Sequence, residues 1–278
     1  MTIALPPRLA AVASLVLPGR TVADIGTDHA YLPIALVRSG RVPAAVATDS
    51  ATGPLAAARR SVAAAGLADA VALRRGWGLE PLAPGEAGTI VVAGMGGYLI
   101  RDILAARLDV AAAAERLVLQ PMRDGAVLRR WLWDNGWALC AERLAQEDDR
   151  FYAVLAAERR AGETITNAPG AAGGPPAAPY DEGRSASLAR RVGVSEELVA
   201  ELGPLIIAGR DPLLAGLIAS ELRSLAAIAA HLGQVAGAGS PPDLVPADGA
   251  AARRSAALTR RRRELLILRA WLARGETS

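Results

Sequence analysis

The sequence predicts an α/β protein with a mostly parallel β-sheet, to which a smaller α-helical domain is attached. Short apolar strands alternate with helices in the first half of the chain. This alternation is typical of parallel sheets, because each parallel connection needs a crossover. Two strands with a polar turn between them, residues 138–144 and 151–157, predict an antiparallel hairpin that closes the sheet. The strands predicted before this hairpin are residues 21–25, 44–47, 70–73, 89–93 and 117–119.

A change of composition divides the chain of 278 residues. Residues 161–180 contain four Gly and four Pro, which is typical of a linker. Apolar residues then recur at steps of three and four over residues 214–232, and this spacing predicts an amphipathic helix. Together with a helix predicted over 253–274, it is expected to form an antiparallel hairpin. The predicted parts are a sheet domain at 1–160, a linker at 161–183 and a helical domain at 184–278.

Charge and cysteine content limit the kinds of binding site that the protein can have and the cellular compartments that suit it. The net charge of +3 and the pI of about 9.6 are compatible with a polyanionic partner. The single cysteine, Cys140, excludes an internal disulfide and argues against a cysteine zinc site. A reducing, cytoplasmic location fits this content. Uninterrupted apolar runs stay below the roughly 18 residues that cross a bilayer, so no membrane is expected.

The first predicted strand ends in a loop that carries carboxylates. Gly26 allows a sharp turn between Asp24 and Asp28, at the edge where open α/β sheets bind ligands. The two carboxylates would repel a pyrophosphate, so the loop favours a ligand with ammonium, sulfonium or hydroxyl groups. The alternative is an ordinary tight turn. His29 lies beside these carboxylates, but His231 is the only other histidine, so a structural or ligand-contacting role is favoured and no metal is expected.

Two further loops at the same edge carry polar groups. Asp49 lies 25 positions after Asp24, close to the spacing at which a second carboxylate holds ribose hydroxyls in dinucleotide folds. Alternatively, Asp49 or Ser50 caps the next helix. The string A-G-M-G-G at 93–97 offers bare backbone where a substrate group would meet a cofactor, or it allows close helix packing. Gln120 offers a donor and an acceptor to a base edge, or is a satisfied surface residue.

Several strings are long enough to carry a resemblance. They are V-A-D-I-G-T-D-H-A-Y-L-P at 22–33, I-V-V-A-G-M-G-G at 90–97, L-Q-P at 119–121, E-D-D at 147–149 and the weaker G-P-L at 203–205. In these strings the chain resembles the bacterial tRNA (adenine-22-N1)-methyltransferases. The resemblance covers about residues 8–157 and 202–232.

The resemblance implies a Rossmann-like class I methyltransferase sheet with a coiled-coil-like C-terminal domain. It implies S-adenosylmethionine as methyl donor and N1 of adenine 22 in tRNA as acceptor. The positions expected to contact the cofactor are Asp24, Gly26, Asp28, His29, Asp49, Ser50, Gly76, Trp77, Gly94, Met95, Gly96 and Gly97. The positions expected to contact the substrate base are Tyr31, Gln120 and Pro121.

One position departs from the family pattern. Trp77 stands between Gly76 and Gly78, where the family usually has a small polar residue. In many such sheets this region holds the adenine ring of the cofactor. Trp77 either stacks on that ring or faces away from it.

Methylation at adenine N1 needs no strong base, because the nitrogen lone pair is itself the nucleophile. Positioning and a negative local field should supply most of the catalysis, since the methylated base is cationic. Asp28 and Gln120 are therefore the candidate catalytic residues. Tyr31 either stacks on the base or packs in the core. A target base within folded tRNA must first be exposed or flipped out.

The last predicted helix is strongly basic. It carries eight Arg and one acidic residue, Glu264. We expect Arg260, Arg261, Arg262 and Arg263 to contact tRNA phosphates, whereas the alternative is a solvated basic face. Two other functions remain open at this point: methylation of another RNA or of a small molecule or protein, and RNA binding without catalysis.

Overall fold

A computed structural model describes residues 4–160, 181–237 and 250–275. Residues 161–180 of the predicted linker lie outside the described residues, as do residues 238–249 between the two long predicted helices. A helix over Glu182–Val192, named α7, begins within the predicted linker, so the last residues of that linker are helical instead. Asp181 explains this start, because its carboxylate accepts a hydrogen bond from the Arg184 backbone N–H and caps the helix.

The strands form one seven-stranded sheet in the order β3-β2-β1-β4-β5-β7-β6. Strands β1 to β5 run parallel, and β7 pairs antiparallel with both β5 and β6. The order reverses between β1 and β4, which is the switch point where such sheets bind ligands. The strands are β1 (Val22–Ile25), β2 (Ala45–Asp49), β3 (Val71–Arg75), β4 (Thr89–Met95), β5 (Arg116–Pro121), β6 (Trp137–Glu147) and β7 (Arg150–Arg159).

Helices cover both faces of the sheet, which explains why the central strands are apolar throughout. All four residues of β1 are buried, as are the first four of β4, because parallel strands carry helices on each side. The helices of the sheet domain are α1 (Pro7–Leu15), α2 (Tyr31–Arg38), α3 (Thr52–Ala65), α4 (Gly97–Ala106), α5 (Leu108–Ala113) and α6 (Gly125–Asp134).

The helical domain packs on the antiparallel hairpin of the sheet. Its helices share a core with Leu144 of β6 and with Ala153 of β7. The helices are α7 (Glu182–Val192), α8 (Glu196–Leu202), α9 (Pro204–Ala208), α10 (Leu214–Gly237) and α11 (Ala250–Ala273). Sequence periodicity predicts α10 and α11 but not the short helices α7 to α9.

Helices α10 and α11 form the predicted antiparallel hairpin. Arg210, just before α10, donates to the Leu272 carbonyl near the end of α11, whereas Glu221 further along α10 pairs with Arg261. By length and composition alone, the segment Leu214–Leu232 of α10 could cross a membrane. The ion pair between Glu221 and Arg261 places this helix against α11.

A buried ion pair joins the two domains. The Arg129 side chain on α6 and the Glu142 side chain on β6 are both fully buried, and Nε donates to Oε1 over 2.6 Å. Arg129 also donates to the Ala200 carbonyl of α8 over 2.9 Å. The second oxygen of Glu142 accepts the Leu205 N–H of α9 over 2.8 Å. Each partner therefore also bonds to the backbone of the helical domain, whereas Nη2 of Arg129 is buried without a hydrogen-bond partner among the described residues.

We expect Glu142→Gln to lower the free energy of unfolding by about 3–5 kcal/mol, because the Arg129 charge would stay buried without its counterion. Urea unfolding followed by circular dichroism measures the change. Glu115→Gln is the matched control, since Glu115 pairs with Arg20 at a similar 2.8 Å but both side chains are about half exposed. Equal losses in the two variants would contradict a special role for the buried pair.

Candidate functional site

The loop after β1 is a tight turn held against β2. The backbone N–H groups of Gly26 and Thr27 both donate to the Thr48 carbonyl over 2.9 Å. Gly26, Asp28 and Ala30 have φ values of 71°, 51° and 57°, in the left-handed region. At Gly26 a side chain would also collide with the Met95 methyl group. The glycine therefore brings the β1 and β4 loops into contact.

Asp24 lies at the base of this turn as a buried carboxylate. It is 6% exposed, and the Thr27 hydroxyl donates to its Oδ2 over 2.6 Å. The pKa of Asp24 is raised from 3.8 to about 6, chiefly by burial and to a smaller extent by the nearby Asp49 charge, while the Thr27 hydrogen bond opposes the shift. A cation bound beside Asp24 would favour its ionised form.

Asp49 ends β2 and links three loops. Its Oδ1 accepts the Ala51 N–H over 2.9 Å, but no side chain caps α3, so the capping interpretation is wrong. Its Oδ2 accepts the Asp28 N–H over a long 3.3 Å, and its carbonyl accepts the Gly76 N–H over 3.1 Å. Ser50 beside it is exposed. The β1, β2 and β3 loops thus meet at Asp49, through its side chain and its backbone carbonyl.

Two aromatic rings stand next to these carboxylates. The His29 and Tyr31 rings stack with centroids 5.2 Å apart and an interplanar angle of 9°. Nε2 of His29 lies 3.7 Å from Oδ1 of Asp28. Tyr31 is 45% exposed, which contradicts core packing and leaves its ring accessible at the edge.

The glycine string after β4 joins the same edge. Gly94 is exposed and has a φ of 80°. The Gly97 N–H donates to the Arg123 carbonyl over 2.9 Å, and a side chain at Gly97 would collide with the Asp124 carbonyl. Gly97 therefore allows the β4 and β5 loops to touch, so the packing interpretation holds there, whereas Gly94 presents open backbone.

The structure contradicts the expectation that Gln120 and Pro121 contact a base. Both residues are buried, and the Gln120 amide is engaged on both sides. Its oxygen accepts from the Gly94 N–H over 3.0 Å and from Arg8 over 2.8 Å. Its nitrogen donates to the Pro121 carbonyl over 3.0 Å. Gln120 therefore holds the Gly94 loop in place rather than facing a ligand.

Arg8 is a residue that the sequence argument missed. It lies on α1, far along the chain from β4 and β5, yet its guanidinium reaches Gln120 beside Gly94. Its backbone N–H donates to Glu147 over 2.8 Å, and its guanidinium lies 5.8 Å from the centre of the Tyr152 ring. The sequence did hold a signal, because Arg8 is the only charged residue in the otherwise apolar helix α1.

Large apolar side chains are exposed around this edge. Trp77 follows β3 and is 40% exposed, and Tyr98, Leu99 and Met122 follow β4 and β5. The Met122 N–H donates to the Met95 carbonyl over 2.8 Å, which places Met122 beside the glycine string. Exposed aromatic and thioether groups suit contacts with flat ligands such as nucleobases.

The four arginines of α11 do not share one environment. Arg261 donates to Glu201 over 2.6 Å and to Glu221 over 2.7 Å, which contradicts its expected contact with phosphate. Arg260 is exposed and lies 3.8 Å from Glu264. Arg262 and Arg263 are exposed, so the positions suited to a polyanion are those on either side of Arg261.

In the described ranges, histidine, cysteine and carboxylate side chains do not gather into a group of three or more that could hold a metal ion. The absence of a metal remains a prediction.

Comparisons with known proteins bear on this edge. Residues 5–155 match the family described as Methyltransferase domain. The tRNA (adenine(22)-N(1))-methyltransferase of Bacillus subtilis is 39% identical over 154 residues, 55% of this chain and 65% of that protein. The alignment thus spans slightly less than two thirds of the Bacillus protein. A putative tRNA methyltransferase of Mycoplasma pneumoniae is 31% identical over 170 residues, 56% of this chain and 73% of that protein.

Solved structures resemble almost the whole chain. The B. subtilis m1A22 tRNA methyltransferase TrmK superimposes with a TM-score of 0.71 at 29% identity, covering 96% of this chain and 99% of that one. A putative tRNA (m1A22) methyltransferase of Streptococcus pneumoniae, solved with S-adenosyl-L-methionine, gives a TM-score of 0.68 at 27% identity, covering 96% and 100%. The chain therefore belongs to the Methyltransferase domain family, and it is similar to the tRNA (adenine(22)-N(1))-methyltransferase of B. subtilis in sequence and in structure.

Proposed function

We propose that the protein transfers the methyl group of S-adenosylmethionine to N1 of adenine 22 in tRNA. The observation that carries the proposal is the meeting of Asp24, Asp28, Asp49 and the open backbone at Gly94 on one edge of the sheet. Family membership supplies the reaction class. Because tRNA is the proposed substrate, we place the protein in the cytoplasm and away from membranes.

The cofactor contacts follow from charge and position. Asp49 has one oxygen on the Ala51 N–H and only a long contact on the other, so it can still accept a ribose hydroxyl. Asp24, buried and close to the Asp49 charge, suits the ammonium group. Trp77, exposed after β3, suits the face of the adenine ring.

The chain's own residues would act by positioning the reacting groups and by placing negative charge near the methylated base. The cofactor supplies the activated methyl group. Asp28 is exposed beside the His29 and Tyr31 stack, where its carboxylate would stabilise the positive charge that develops on the methylated base. The Tyr31 ring suits stacking on the target adenine. Gln120 would act through the Gly94 loop rather than on the base.

The decisive experiment incubates the protein with labelled S-adenosylmethionine and unmodified tRNA. We expect one labelled nucleoside, 1-methyladenosine, which nuclease digestion and mass spectrometry map to position 22. A transcript with guanine at position 22 is the matched control and should stay unlabelled. Label at another site, or none on any RNA, would contradict the proposal.

Asp28→Asn should slow methyl transfer by about tenfold or more at saturating cofactor, because the negative field would be lost. Asparagine is the suitable replacement, since Asp28 has a φ of 51° and Asn tolerates the left-handed region. Single-turnover rates measure the effect, and tRNA affinity should change little. A near-normal rate would remove Asp28 from catalysis.

Asp49→Ala should weaken S-adenosylmethionine binding by about tenfold or more, because the ribose would lose a charged acceptor. Isothermal titration calorimetry measures the affinity. Asp69→Ala is the control, since Asp69 is an exposed carboxylate just before β3, at the end of that strand opposite to the carboxyl edge. If both variants bind equally well, the assignment of Asp49 fails.

Asp24→Asn should separate stability from binding. The raised pKa means that folded protein keeps a proton between about pH 4 and 6 that the unfolded chain releases. The free energy of unfolding therefore falls as pH rises through this window. The variant should be more stable than wild type at pH 7.5, by up to about 3 kcal/mol, and equally stable near pH 3.5. Urea unfolding at the two pH values measures the difference.

Cofactor affinity should show the opposite preference at the same residue. The wild-type protein should bind S-adenosylmethionine more tightly as pH rises from 5 to 7, because ionised Asp24 favours the ammonium group. The Asn variant should bind weakly and lack this rise. An equal pH dependence in both proteins would contradict the contact.

Arg262→Gln with Arg263→Gln should weaken tRNA binding and flatten the slope of log affinity against log salt by about 1–2 units, since fewer counterions are released. Arg59→Gln with Arg60→Gln on α3 is the matched control, because it removes the same charge from another exposed helix surface. Equal slopes in wild type and the α11 variant would leave tRNA binding to the sheet domain.

A further inference from the structure

The charges at the carboxyl edge leave one group of the proposed cofactor without a partner. S-adenosylmethionine carries a sulfonium, an ammonium and a carboxylate. The proposed side-chain contacts Asp24, Asp28 and Asp49 are all negative, so they suit the two cations and the ribose hydroxyls. A carboxylate that leaves water in such a field needs a cation or several donors.

Arg8 places a guanidinium at this edge. Its NH1 donates to Oε1 of Gln120 over 2.8 Å and lies 3.7 Å from where a Cβ on Gly94 would stand. Gly94 is exposed and carries no side chain, so the space in front of the guanidinium stays open. The Arg8 side chain is 23% exposed, which leaves it reachable from solvent.

Arg8 retains unused donors. A guanidinium has five N–H groups. The contacts with neighbouring side chains in the described part of the chain are the hydrogen bond to Gln120, a 3.9 Å approach of Nε to Glu147 and the Tyr152 ring. The approach to Glu147 is too long for a hydrogen bond. Donors on the outer nitrogens therefore remain for a planar carboxylate, which arginine binds in a fork geometry.

The order of strands puts Arg8 at the correct end of an extended ligand. A ribose at Asp49 lies at the end of β2, and the next strands across the sheet are β1 and β4. With the adenine proposed at Trp77 after β3, the amino-acid end would lie on the other side of the ribose, towards β1 and β4. Gly94 and Gln120, the neighbours of Arg8, lie on β4 and β5.

Two other arginines near this edge fit less well. Arg75 ends β3, on the ribose side, and its Nε donates to the Ser50 carbonyl over 3.3 Å. Arg123 lies near Gly96, but its side chain is 82% exposed and its Nε is 3.5 Å from Asp124. An exposed guanidinium beside a carboxylate binds an anion less firmly than a half-buried one held by an amide.

We infer that Arg8 binds the carboxylate at the amino-acid end of the cofactor, so that the site discriminates against nucleosides that lack this group. The inference rests on the proposed function. Gln120 then has a second role, because the oxygen that fixes the Gly94 loop also orients the Arg8 guanidinium.

Calorimetry with two ligands that differ only in the carboxylate tests the inference. S-adenosylmethionine and decarboxylated S-adenosylmethionine are titrated into wild type, Arg8→Gln, Arg8→Lys and Arg123→Gln. Wild type should prefer the carboxylate-bearing ligand by about 10- to 100-fold, the range expected of charge-assisted hydrogen bonds. Arg8→Gln should lose most of this preference while its affinity for the decarboxylated ligand changes less than about threefold.

The other variants sharpen the result. Arg8→Lys should keep part of the preference, because it keeps the charge but loses the fork geometry. Arg123→Gln should keep the full ratio. Thermal unfolding of each variant checks that the fold persists, and the ratio of two affinities within one variant does not depend on the fraction of active protein.

Distinct outcomes would overturn the inference. Equal losses for both ligands in Arg8→Gln would mean that Arg8 acts only by holding the Gly94 loop. Unchanged binding of both ligands in Arg8→Gln, with weaker tRNA binding, would mean that Arg8 contacts a tRNA phosphate. Loss of the preference in Arg123→Gln would mean that Arg123 binds the cofactor carboxylate. Wild-type protein that binds neither ligand would instead contradict the proposed function, together with every role assigned on it.

Discussion

The Arg129–Glu142 pair sets the relation between the two domains. Both side chains are fully removed from water, a costly arrangement unless each charge is matched and hydrogen-bonded. The two charges pair with each other within the sheet domain. Arg129 also donates to the Ala200 carbonyl, and Glu142 accepts the Leu205 N–H, both in the helical domain. The helical domain is thus fixed by directional bonds as well as by apolar packing on Leu144. The exposed arginines of α11 are therefore held in a defined position relative to the carboxyl edge.

The edge itself depends on close approaches at two of its glycines. Gly26 against Met95 and Gly97 against Asp124 bring neighbouring loops together, and Asp49 bonds to the loops on both of its sides. Carboxylates that repel one another are consequently held close. The raised pKa of Asp24 reflects chiefly its burial and, to a smaller extent, the Asp49 charge. The unfavourable energy of the unliganded edge is what a cationic ligand would relieve, which is a common property of binding sites.

Local sequence patterns predict the sheet and the loops because each strand and turn depends on nearby residues. Gly26, Asp49 and the string at 93–97 were predictable since a parallel strand must deliver its last residues to one edge. Contacts between distant segments were not predictable in this way. Arg8 meets Gln120 across 112 positions and Arg261 meets Glu221 across 40, so periodicity carries no trace of either contact. Gln120 was misjudged for this reason, because its exposure depends on where α1 lies.

The bonds around Glu142 also bear on how the chain is made. During synthesis, residues 129 and 142 leave the ribosome well before residue 205, whose N–H completes the environment of the carboxylate. Strand β5 likewise has an open edge until β7 follows its own hairpin partner, β6, out of the tunnel. The nascent sheet domain therefore carries an incompletely bonded ion pair and an unprotected strand until the helical domain arrives. A chimera that takes its C-terminal half from a relative should therefore fold well only if residues 200 and 205 still bond to Arg129 and Glu142. The two halves are consequently expected to evolve together.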